Sequence, residues 1–131
     1  MMLVRAKTGL STIHSVGLFA KEFIPKGAKV WEFTEGFDLV LTKEEVKNLS
    51  EAAREQFFNY AYLSKKSGKY VLCSDDARFF NHQIPPNVTC RIPEESGIDE
   101  ALECFAAKDI QTGEELTNNY EEFDADPSDV I

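Results

Sequence analysis

No stretch of this chain is long and apolar enough to leave water. Its apolar runs fall well short of the roughly 20 residues that span a bilayer, and no basic segment leading into a signal-like apolar core is present near the first residues. A cytoplasmic protein is therefore expected, a nuclear location being also compatible, with no membrane partner. C-x-x-C pairs are absent as well. Cys73, Cys90 and Cys104 are odd in number and lie 17 and 14 residues apart, which argues against a disulfide framework and against a structural zinc site. The expectation is three small buried hydrophobes in a reducing compartment, and no metal. Positive charge is scarce: 14 Lys and Arg face 23 Asp and Glu, for a formal net charge of −9. That balance argues against direct nucleic-acid binding through a general basic surface. It suits a cationic protein or peptide partner, although acidic surfaces also serve simply to keep proteins in solution.

What is there is enough for one globular domain: 131 residues, 43% hydrophobic and 28% charged. Met2 to Lys7 reads as a strand, followed by a turn at Thr8-Gly9. Within Ile13 to Ala20, Gly17 stands alone among apolar residues, the mark of a bulge or of a group approaching the backbone closely. Ile24-Pro25-Lys26-Gly27 is a turn, since proline presets φ and glycine accepts positive φ, and Val30 to Phe33 is the returning strand. The layout Phe19-Ala20-Lys21 through Ile24-x-x-Gly27 recurs as Phe105-Ala106-Ala107-Lys108 through Ile110-x-x-Gly113, suggesting two halves that pair in space.

Thr42-Lys43-Glu44-Glu45 is a capping box. Val46, Leu49, Ala53 and Phe57 follow at spacings of three, four and four, predicting one helix over about 43–58. Strands are expected over Lys69 to Cys73, Val88 to Ile92 and Leu102 to Ala106. Many short strands with one helix imply an α+β, mainly β domain. An acidic tail over 124–131 is expected to be loose unless Phe123 pins it.

Two stretches mix apolar residues with polar groups that are costly to bury alone: Arg78-Phe79-Phe80-Asn81-His82-Gln83 with Pro86-Asn87, and Gly113-Glu114-Glu115-Leu116-Thr117-Asn118-Asn119-Tyr120. Together with Ser15-Val16-Gly17-Leu18-Phe19-Ala20, they resemble the motifs of the SET domain, in the same order. The first resembles the family's Gly-x-Gly segment with serine at the first glycine. The second resembles Arg-Phe-x-Asn-His-Ser with glutamine for serine, and the third is similar to Gly-Glu-Glu-Leu-Thr-x-x-Tyr at every fixed position. The resemblance implies a β-clip-like SET fold over 1–123 with a helical insert over about 42–64 and a knot-like crossing of the last two motifs.

It further implies a protein-lysine N-methyltransferase that uses S-adenosylmethionine (AdoMet) and acts on a basic protein or peptide. Carried onto this chain, Ser15, Val16, Gly17, Leu18, Arg78, Phe79, Asn81 and His82 would hold the cofactor, with a Gly17 side chain intruding on it. Tyr120 would be the catalytic tyrosine and a cofactor contact. Candidates for an apolar lysine channel are Tyr60, Tyr62 and Phe80. Asn118 stands where many members carry the Phe or Tyr associated with the number of methyl groups added. The cysteine-rich zinc segment that closes the site in many members is missing. Phe123 covering the adenine, or a second subunit in a homodimer, would replace it; the bland alternative makes Phe123 an anchor for the tail. Two other classes stay open: a catalytically inactive SET-like module that binds AdoMet or a peptide, and a β-rich interaction domain without cofactor.

Overall fold

The computed structural model describes residues 1–126, in three small sheets flanked by two helices and two 3-10 turns. The largest sheet has the order β1 (Ala6–Leu10), β2 (Val16–Ala20), β10 (Glu115–Asn118) and β7 (Asn81–His82). A second joins β3 (Lys29–Glu32), β9 (Glu103–Ala106) and β8 (Val88–Arg91). The third joins β4 (Leu39–Leu41), β6 (Tyr70–Leu72) and β5 (Tyr62–Leu63). The expected mainly β, α+β architecture is the one observed.

The duplicated layout is a structural repeat. Ile24 and Ile110 exchange backbone hydrogen bonds, Ile24 N to Ile110 O at 2.9 Å and Ile110 N to Ile24 O at 2.8 Å. Gly27 N donates to Ala106 O and Gly113 N donates to Ala20 O, both at 2.8 Å. Each unit thus closes on the other. Gly27 and Gly113 both adopt positive φ, 88° and 92°, the left-handed region that glycine enters without a Cβ penalty. Ile24, Ile110, Leu18, Leu116, Val30 and Val88 are fully buried around this junction, so the repeat lies at the centre of the core.

The single helix over 43–58 is in fact two, α1 (Lys43–Lys47) and α2 (Glu51–Tyr60). The capping box at Thr42 is present in α1 as expected, with Glu45 N donating to Thr42 Oγ1 and Thr42 N donating to Glu45 Oε1. Asn48 ends α1, and Ser50 starts a new helix by accepting from Ala53 N at 3.1 Å. A second capping serine competes with helix continuation. The stripe breaks accordingly: Val46 and Phe57 are buried while Ala53 is exposed.

Other expectations shift. The first strand runs over Ala6–Leu10, and Met2 contributes only an isolated bridge to Trp31. Thr8-Gly9 lies inside that strand, Gly9 facing Gly17, and the turn falls at 11–15. Cys90 and Cys104 are joined in a disulfide, because β8 and β9 place them directly opposite each other; only Cys73 is a free buried thiol among the described residues. The first residues of the tail are paired: Asp124 bridges Ser64 and Ala125 N donates to Leu63 O at 2.8 Å. The remainder of the tail lies outside the described residues.

Ile110→Ala, which empties a side chain with no exposure, is expected to lower unfolding free energy by about 2–5 kcal/mol. Thr42→Ala is expected to cost about 1 kcal/mol through its lost cap. Urea denaturation of the two variants measures both, and equal losses would contradict the placement of the core.

Candidate active site

The site is built where the 3-10 turn Asp76–Phe79 ends. Asp75 caps this turn by accepting from Ala77 N at 3.1 Å, and Phe80 leaves it in extended geometry, delivering Asn81 and His82 to β7. There β7 runs parallel to β10, with Asn81 opposite Thr117 and His82 opposite Asn118. Gln83 N donates to Asn118 O at 2.9 Å. Asn87 completes the join, its Nδ2 donating to Glu115 O at 2.7 Å and its Oδ1 accepting from Thr117 N at 2.8 Å. The two polar stretches therefore satisfy each other.

Beyond β10 the chain turns into a 3-10 turn, Tyr120–Glu122, capped by Asn119. His82 Nδ1 accepts from Tyr120 N at 3.1 Å, and the two rings lie 5.2 Å apart. The Tyr120 hydroxyl donates to the Phe80 carbonyl oxygen. Burial pushes the Tyr120 phenol up to about 12, with the charges of Asp124 and Glu115 adding to it. The hydroxyl is thus a fixed, neutral group.

Phe80 and Tyr120 stand between two cavities. A broad cleft of about 640 Å³ is lined by Ile13 to Val16 and by Arg78, Phe79, Asn81 and His82. A narrow cavity of about 80 Å³ is walled by Trp31, Tyr62, Cys73, Leu102, Asn118 and Phe123. Phe58, Asn59, Tyr60, Arg78, Phe80 and Tyr120 border both. In the narrow wall, Trp31 Nε1 and Tyr62 Oη are buried without a hydrogen-bond partner, each an unmet cost of about 1–3 kcal/mol. Burial holds the Tyr62 phenol and the Cys73 thiol above their ordinary ranges, so both stay neutral.

The residues expected from the motifs divide between these spaces. Ser15, Val16, Arg78, Phe79, Asn81 and His82 reach the broad cleft, and Tyr60, Tyr62 and Phe80 all reach the narrow cavity. Leu18 does not reach the cleft: it is fully buried between β1 and β10. Gly17 does not line the cleft either, and a Cβ there would meet Glu115 Oε2 at 2.4 Å. The close approach read from Gly17 is made by the protein's own carboxylate. Phe123 lies in the narrow cavity, packed edge-on against Tyr62 with centroids 5.0 Å apart; it covers nothing in the broad cleft. Asn81 also differs from expectation, because its Nδ2 lies within hydrogen-bonding distance of His14 O, Val16 O, Ser11 Oγ and Glu115 Oε2. Sequence reasoning missed Ser11, Glu115 and Trp31. Glu115 sat inside a recognised motif, but its partners come from a distant loop.

A family model described as the SET domain matches residues 15–121. The chain belongs to the SET-domain family. A histone-lysine N-methyltransferase of Chaetomium globosum, H3 lysine-4 specific, is 32% identical over 127 residues, covering 87% of this chain and 11% of that protein. The Mycosarcoma maydis protein of the same name is 31% identical over 131 residues, covering 95% and 9%. The chain spans between 2% and 16% of the length of the curated relatives it matches. Among solved structures, the Chaetomium thermophilum Polycomb Repressive Complex 2 bound to GSK126 aligns with 27% identity and a TM-score of 0.69, covering 92% of this chain and 16% of that one. A Plasmodium falciparum chain of similar extent aligns with 18% identity and a TM-score of 0.63, covering 91% and 95%; at that identity it shows the fold alone. Each of the three SET motifs contributes residues to the walls of the two cavities: Ser15 and Val16, Arg78 to His82, and Asn118 and Tyr120.

At about pH 10.5, where an ordinary tyrosine is mostly ionised, the ultraviolet difference between wild type and Tyr120→Phe is expected to show Tyr120 still neutral. A phenolate signal from this residue at that pH would contradict the buried, bonded hydroxyl.

Proposed function

We propose that the chain is an AdoMet-dependent protein-lysine N-methyltransferase acting on a basic protein. The observation that carries this reading is the meeting of a broad, partly polar cleft with a narrow aromatic cavity across Phe80 and Tyr120. A group-transfer enzyme with two unlike substrates needs two unlike spaces that touch at the reacting atoms.

The broad cleft fits the cofactor. Arg78 offers a guanidinium for a carboxylate, and the Phe79 and Tyr60 rings, 5.4 Å apart and edge-on, offer apolar surface for a flat base. Backbone at Ser15 and Val16 and the polar groups of His82 complete the donor and acceptor set. When bound, AdoMet supplies a methyl group activated on a sulfonium.

The chain's own residues do the rest. The narrow cavity would receive the extended lysine side chain against its Trp31, Tyr62 and Phe123 walls. An apolar surrounding disfavours the ammonium form, so a lysine entering it loses its proton more readily than in water, where its pKa is about 10.4. Aromatic walls tolerate the cation on the way in. The orphaned groups of Trp31 and Tyr62 leave hydrogen-bonding capacity for an occupant. Tyr120, neutral and held by the Phe80 carbonyl, orients the amine towards the cleft. The acidic surface, with its net charge of −9, draws a basic substrate to the entrance. Relatives named as histone H3 lysine-4 methyltransferases favour a histone-like substrate.

Incubation with labelled AdoMet and a set of basic proteins, histones included, is expected to label lysine. Tyr120→Phe is expected to fold normally and to reduce transfer by about tenfold or more. Asn81→Ala is expected to weaken AdoMet binding by at least about 1 kcal/mol, measured by calorimetry. AdoMet binding without transfer to any lysine would replace this reading with a binding module.

A further inference from the structure

Glu115 opens β10 beside the loop that walls the broad cleft, and no salt bridge reaches it among the described residues. Its carboxylate is held by neutral donors. Ser11 Oγ lies 2.7 Å from Oε1 and 2.9 Å from Oε2, and Asn81 Nδ2 donates to Oε2 at 2.9 Å. Hydrogen bonds to an ionised acceptor are roughly twice as strong as neutral ones. Both donors lead on to the same loop. Ser11 Oγ accepts from Ile13 N at 2.9 Å, and Asn81 Nδ2 lies 3.1 Å from His14 O and 3.2 Å from Val16 O.

This loop needs holding. Ser15 adopts a positive φ of 36°, a conformation that costs a residue with a Cβ about 1–2 kcal/mol. It persists because Ser11 N donates to Ser15 O at 3.0 Å and because the second Asn81 N–H, the first being given to Glu115, is shared by the His14 and Val16 carbonyls. Gly17 supplies the remaining condition. A Cβ there would lie 2.4 Å from Glu115 Oε2, 2.8 Å from its Cδ and 3.0 Å from Ser11 Cβ, so the bare face of Gly17 is the seat of the carboxylate.

We propose that Glu115 is a positioning residue: seated on Gly17, it latches the 11–16 loop through Ser11 and Asn81, and thereby sets the wall that receives the cofactor. This rests on the cofactor reading above. Binding of AdoMet should then depend on a carboxylate that does not line the cleft, while the chemical step should not.

The test measures hydrogen exchange of the 11–16 loop, AdoMet affinity by calorimetry, and methyl-transfer kinetics in the full chain. Glu115→Ala is expected to speed loop exchange and weaken AdoMet binding by about tenfold or more, the loss of hydrogen bonds to a charged group. Its kcat at saturating AdoMet should stay within about threefold, a change of under 1 kcal/mol in the barrier. Glu115→Gln, which keeps one carbonyl acceptor, should recover most of the affinity. Gly17→Ala should reproduce the loss by expelling the carboxylate. Ser11→Ala, which removes one hydroxyl from a half-buried site, reports on the same latch should the larger changes prevent folding. Unchanged loop exchange in Glu115→Ala and Ser11→Ala, or a fall in kcat with unchanged affinity, would overturn the latch. Faster loop exchange in a protein whose wild type binds no AdoMet would support the latch and sink the methyltransferase reading instead.

Discussion

The structure depends on one short parallel contact, between Asn81-His82 and Thr117-Asn118. Asn81, Thr117 and Asn118 are buried, and buried polar groups without partners cost too much to persist. Neither stretch can bury itself alone, so each is the other's hydrogen-bonding environment. Asn87 extends the arrangement by exchanging bonds with the backbone of Glu115 and Thr117. The contact also sets the chemistry. Phe80 lies just before one strand and Tyr120 just after the other, so pairing the strands brings the Phe80 carbonyl to the Tyr120 hydroxyl and places both between the two cavities.

A pair of two-residue strands is too small to hold itself, and the repeat supplies the frame. The hydrogen bonds that join Ile24 to Ile110, Gly27 to Ala106 and Gly113 to Ala20 tie the start of the chain to its end around fully buried aliphatic side chains. Leu116 packs into the same core and faces Leu18 across the β2–β10 ladder. Leu116 therefore anchors β10 in the core, while Asn118, two residues on, reaches the narrow cavity. Core and site share one strand, and a change in either is felt by both.

How much of this was legible depended on the range of the interaction. The SET motifs, the Thr42 cap and the duplicated turn with Gly27 and Gly113 are written in neighbouring residues, and each was read correctly. Gly17 announced a close approach, yet the approaching atoms belong to Glu115, and nothing local names them. The second helix start at Ser50 looked like one more polar position in a continuing stripe, because a capping serine and an exposed one are the same letter. Cys90 and Cys104 sit far apart in sequence and meet only through the register of β8 and β9. Phe123 is open in the sequence between a cover for the adenine and an anchor for the tail, and its ring packs edge-on against Tyr62. The partners of Gly17, Cys90 and Phe123 are chosen by topology, whereas the Ser50 cap is local and was hidden by an apolar stripe that runs on past it.

Charge around the site constrains how a proton could leave a lysine amine there. Asp124 and Glu115 add to burial in holding the Tyr120 phenol neutral, so this tyrosine is no base at ordinary pH. Tyr62 and Cys73, deeper in the narrow cavity, are held neutral by burial in the same way. A neutral phenol already donating to a carbonyl can orient an amine and cannot take its proton. For the proposed lysine substrate, desolvation on entering the narrow cavity would then have to drive deprotonation. On the proposed reading, an acidic exterior would attract a basic substrate yet favour its protonated amine, so the apolar lining of the narrow cavity, with Trp31, Tyr62 and Phe123 in its wall, is where the charge would be shed.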